Sequence, residues 1–149
     1  MSNHDSKTLR LTALWLVALH FLVVVLHSVA HEVLRVKATP AQLAFIVPVI
    51  IVAPPAAAVL LPKFTRAGAV LLLVSMLGSF AFGLYYHFLA DTIDHVAHVA
   101  RLEPVLWSAM FRATAYLLLV SEAAGAALAG LLLAGRPRAF KRHAARTGF

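Results

Sequence analysis

Five histidines in two separate segments are the residues of this chain best suited to chemistry. His27 and His31 stand four apart, so on a helix they share a face and could grip one ion together. Further along, residues 85–98 carry His87, His95 and His98 with Asp91 and Asp94, three of the eight histidines and two of the six acidic residues. Wound as one helix, at about 100° per residue, these five would fall within an arc of roughly 100°. Imidazole nitrogens beside carboxylate oxygens suit a divalent transition metal, zinc or iron first and copper as a further option. The expected ligands are His27, His31, His87, His95 and His98. Glu32, Asp91 and Asp94 stand as alternates or as partners that orient the rings.

Three more ionisable residues sit inside apolar stretches, where charge is costly and usually paired or functional. These are His20, Arg112 and Glu122. His20 shares a face with His27 and His31, within about 40°. Glu122 and Arg112, ten residues apart, would be separated by about 15 Å along one helix. Pairing of Glu122 with His20 is easier, either as a structural bond or as a proton relay toward the outer histidines. Haem b is a second cofactor reading, with His27 or His31 facing His87 as axial imidazoles.

The elements that must position these residues follow from composition. Of the 149 residues 62% are hydrophobic and 13% charged, with mean hydropathy +0.87. Ordinary soluble domains are about 45–50% apolar and about 25% charged, so the chain belongs in a membrane. Four apolar runs, 11–34, 41–61, 67–90 and 105–134, each approach or exceed the ~20 residues that cross a bilayer. Short connections imply antiparallel neighbours, hence an all-α, four-helix up-down bundle forming a single domain over 1–149. Pro48, Pro54 and Pro55 predict a kink in the second helix. Asp91 is a candidate cap for a short interfacial helix between the third and fourth spans. Such a helix would break the continuous 87–98 array.

Depth can be read from rise. Leu11 to His31 and Ala67 to His87 are each roughly 30 Å at 1.5 Å per residue. Both runs leave the same face, so His31 and His87 should reach one level, with His27 about a turn below.

The formal charge of +7 lies at the ends of the apolar runs, which is a topology signal rather than a nucleic-acid footprint. Lys7, Arg10, Lys63, Arg66 and the basic tail 136–149 form one set. Arg35, Lys37 and Arg101 form the sparser opposite set. Both termini are therefore expected in the cytoplasm and the histidines near the outer leaflet. The residues Ser28-Val29-Ala30 resemble a signal-cleavage site, but the run is long and carries histidines, so a retained first span is expected. With no cysteine, disulfides, thiolate metal sites and thiol redox chemistry are excluded. The small residues Ser75, Ser79 and Gly83, and Ser121, Gly125, Ala126, Ala129 and Gly130, suit close helix contact. They serve the bundle itself, a homo-oligomer or another membrane partner. The bilayer is the remaining expected partner, and a non-catalytic packing subunit the remaining class.

Overall fold

Apolar periodicity without turn residues makes long helices, and four of them are long and apolar enough to cross a membrane: His4–Val33, Pro40–Leu60, Thr65–Leu89 and Val105–Ala134. They come from a computed structural model that describes residues 3–135. The basic tail 136–149 lies outside the described residues. In chain order the helices are α1 (Asn3–Val33), α2 (Pro40–Phe45), α3 (Ala53–Leu60), α4 (Thr65–Leu84), α5 (Val96–Val99) and α6 (Val105–Ala134). Two π-helical segments, Ile46–Val52 and Tyr85–Leu89, continue α2 into α3 and extend α4. No strand occurs among the described residues. The all-helical bundle is thus observed, in the form of a multi-pass membrane protein.

The second span shows how prolines are absorbed. Pro48 has no amide hydrogen and its ring crowds the preceding turn. The chain responds by widening to i→i+5 spacing, so that Ala53 N donates to Pro48 O. Pro54 and Pro55 fall in the first turn of α3, where the missing donors are not needed. The first half of this span, α2 and the π segment, has no buried residue. It leaves a gap beside α1 in the half of the bundle that carries His27, His31 and His87.

The opposite half, nearer the chain termini, is packed through small residues. α6 lies between α1 and α4, and α3 leans on α4. Ala13, Val17, Ala57, Leu61, Ala69, Leu72, Met76 and Ala129 form the core there. A Cβ on Gly68 would fall 2.7 Å from the Leu61 backbone nitrogen, so the α3–α4 approach requires glycine. A Cβ on Gly125 would meet Met76 Cγ at 2.9 Å, and that methionine fills the notch. Trp15, Val59 and Val120 point outward among many exposed apolar side chains, a surface suited to acyl chains.

At the end of the bundle that carries α5, Ala30, Leu34, Val36, Val99 and Phe111 make a second small core. The expected interfacial helix is present as α5, but His95 caps it rather than Asp91. Its side chain accepts from Ala97 N at 3.2 Å. The helix starts later than expected because Ala90 is extended (φ −83°, ψ 141°) and ends the third span. The unbroken 87–98 array is therefore not formed.

Candidate metal centre

Three of the five histidines meet. One ring nitrogen from each of His27, His31 and His87 lies within 4.8 Å of the others. His27 and His87 are buried, and His31 is half-buried. The ring centroids of His27 and His87 are 5.0 Å apart, those of His27 and His31 4.8 Å, and those of His31 and His87 5.9 Å. Equal rise along two parallel spans accounts for the common depth.

Which nitrogen each ring can offer is set by its other bond. His31 Nδ1 donates to Val36 O at 2.8 Å, and His87 Nδ1 donates to Asp94 O at 3.0 Å. A carbonyl can only accept, so the proton of each ring is on Nδ1. Thr114 Oγ1 lies 2.7 Å from Met110 O and 2.9 Å from Phe111 O, where its single proton is used. It therefore accepts from His27 Nδ1 at 2.9 Å. In the neutral imidazoles all three Nε2 atoms are thus left with free lone pairs. His27 Nε2 and His87 Nε2 face each other at 3.3 Å.

Local backbone structure makes those bonds. α1 ends in a left-handed residue, Arg35 (φ 57°), with Arg35 N bonded to Glu32 O at 3.1 Å and Val36 N to His31 O at 3.0 Å. This is the paired closure of a Schellman end. It folds the Val36 carbonyl back over His31, so the two residues bond each other in both directions. A π turn over Tyr85–Leu89 carries His87, with Ala90 N donating to Tyr85 O at 2.7 Å. Such turns recur at functional sites because they re-aim a side chain without ending the helix. Phe111, fully buried, packs against all three imidazoles at centroid distances of 4.5, 4.7 and 5.4 Å.

The remaining candidates do not join the three-histidine group, although Glu32, Asp94 and Glu122 line the cavity beside it. His95 has both nitrogens engaged, Nδ1 at the α5 cap and Nε2 donating to Phe88 O at 3.2 Å. His98 is exposed, bonded through Nδ1 to Thr92 O at 2.8 Å and paired through Nε2 with Asp91 at 3.3 Å. Glu32 pairs with Lys37 at 3.9 Å on the surface. Asp94 is buried, its Oδ2 4.0 Å from His87 Nδ1. Arg112 is exposed near the start of α6. His20 is held by Ser121 Oγ at 3.1 Å, whose own proton goes to Leu118 O. Glu122 is buried, and its Oε2 has no hydrogen-bond partner among the described residues.

A cavity of about 340 Å³ adjoins the triad, in the gap left by the second span. His27, His31 and His87 line it, and so do Ser79, Gly83 and Glu122. Phe111, Thr114 and the Val36 carbonyl were not singled out by sequence. Their signal is weak, because which face of α6 meets α1 depends on helix rotation. Compared with protein families, curated proteins and solved structures, the chain matches none, so the functional reading rests on this geometry.

Proposed function

We propose that this chain binds one divalent transition ion through Nε2 of His27, His31 and His87, just beneath the outer headgroups, with both termini in the cytoplasm. The observation that carries the reading is that all three Nδ1 atoms are pinned, that Nε2 of His27 and His87 face each other, and that a ring nitrogen of His31 lies within 4.8 Å of theirs. Two bare lone pairs 3.3 Å apart repel unless a cation lies between them. Two nitrogens bound to zinc at about 2.0–2.1 Å with a tetrahedral angle lie about 3.3–3.4 Å apart. The widest separation within the triad exceeds that value, so the ion would draw the rings together. Zinc or iron fits neutral nitrogen donors near carboxyl groups best, with copper next. Asp94 and Glu122, both buried, supply carboxyl groups to offset the ion's charge in a medium of low dielectric. Three protein ligands leave a coordination position open to the cavity, as in sites that bind or activate a ligand.

Haem is less well served, since 3.3 Å between the two Nε2 atoms leaves no space for a macrocycle between them. A purely packing role is less well served too, because Ser75, Ser79, Gly125, Ala126 and Ala129 are buried or nearly so within the bundle itself. The test is elemental analysis of protein purified without chelators. About one equivalent of zinc or iron is expected, lost in His27→Ala and His87→Ala and kept in His95→Ala and His98→Ala. Equal metal in wild type and His87→Ala, or none in any form, would overturn the reading. A Soret band would transfer it to haem.

A further inference from the structure

We infer that the cavity beside the triad receives a single-chain amphiphile from the outer leaflet, its hydroxyl or amide head held between the ion and Glu122. The inference rests on the metal reading above and adds the ligand class. At about 340 Å³ the cavity falls within the range of ligand pockets, roughly 300–1,000 Å³. Leu43, Ile46, Ile50 and Ile51 of the second span give the cavity its aliphatic lining together with Val24 and Leu118, and Ile50 and Ile51 pack against those two residues. The exposed Glu32 and Lys37 also line it. A shallower groove lined by Phe21, Val25 and Val29 shares Val24, Ser28, Glu32 and Ile51 with the cavity. The two hollows therefore meet at the seam between α1 and the second span, and an alkyl chain seated in the cavity would trail across that seam into the groove.

The inner end is polar and unfinished. Glu122 Oε2 and Ser79 Oγ are buried with no partner among the described residues, and both residues line the cavity. Buried polar groups are rarely left so unless something else completes them. Glu122 Oε2 and His87 Cδ2 lie 3.8 and 4.0 Å from the point where a Cβ on Gly83 would stand. One small head group can therefore reach both the open position of the ion and the carboxyl. The ion would take an oxygen of the head, and Glu122 would receive its O–H or N–H. An aliphatic lining from the second span, Val24 and Leu118, with unpartnered polar atoms at Glu122 and Ser79, matches an alkyl chain bearing one such head better than a hydrated ion.

The test uses cobalt(II)-loaded protein in lipid discs, with octanohydroxamic and acetohydroxamic acids as probes and the visible spectrum as readout. The long-chain probe should perturb the cobalt bands saturably. Ile50→Trp, which fills the chamber away from the ligands, should weaken it at least about tenfold relative to wild type. Partition into lipid raises the probe's local concentration for both proteins alike, so the difference between them reports the chamber. Glu122→Gln should weaken the same probe about tenfold, measured per bound cobalt so that any loss of metal is counted separately. Cobalt binding with no effect of Ile50→Trp or Glu122→Gln would overturn the inference and leave the metal reading standing. Absence of cobalt binding would overturn both.

Discussion

His27 Nε2 and His87 Nε2 face each other at 3.3 Å, while Nδ1 of each ring is already committed, to Thr114 Oγ1 and to Asp94 O. Two imidazoles so arranged present lone pair to lone pair. An ion bound between them, as proposed, would remove that repulsion, and His31 would offer it a third nitrogen.

Because an imidazole ligates only through an unprotonated nitrogen, metal and protons compete for the same three atoms. Affinity should therefore fall as pH is lowered, and occupancy at fixed free zinc should drop between about pH 8 and about pH 5. Measuring retained metal after dialysis across that range checks the sign. Occupancy that rises on acidification would contradict histidine ligation.

Thr114 fixes the tautomer of His27 without touching the ion. Thr114→Val should weaken metal binding by about 10–100-fold, the usual cost of losing such a partner. Thr114→Ser, which keeps the hydroxyl, should recover most of it. Competition with a chromophoric chelator gives the numbers.

Phe111 presses on all three rings and fills the small core beside α5. Truncation to Ala should cost about 3–5 kcal/mol of stability, judged from buried Phe→Ala changes elsewhere. A saturating ion should restore part of that, because it binds only the folded form. Thermal denaturation of the apo and metal-loaded variant separates the two effects.

Glycines provide a matched pair that leaves the site untouched. A methyl at Gly68 would overlap the Leu61 backbone at 2.7 Å, whereas one at Gly130 would meet nothing within 4 Å. Gly68→Ala should destabilise by about 1–3 kcal/mol or more through overpacking. Gly130→Ala should be neutral or gain up to about 1 kcal/mol from helix propensity. Melting temperatures in one detergent test both.

Much of this organisation is legible in residue order. Run length and the scarcity of charge define the four spans, and equal rise along two parallel spans brings His31 and His87 to one level. Spacing alone cannot say where a helix stops. With Ala90 extended, His95 and His98 turn to the loop backbone and only His87 joins α1. Neither could periodicity place Thr114 or Phe111 against the rings, since that depends on how α6 is rotated against α1. The π turn at His87 and the folded-back end of α1 are likewise products of tertiary packing. Glu122 was marked as costly at its depth, but its place in the same cavity as His87 follows from Gly83 and the gap left by the second span.

X-ray absorption at the zinc edge, on protein loaded with one equivalent, tests the central claim most directly. The account predicts three imidazole nitrogens and one oxygen donor at about 2.0–2.1 Å, with the imidazole scattering reduced by one ring in His31→Ala. A spectrum without imidazole scattering, or one unchanged by that substitution, would contradict it.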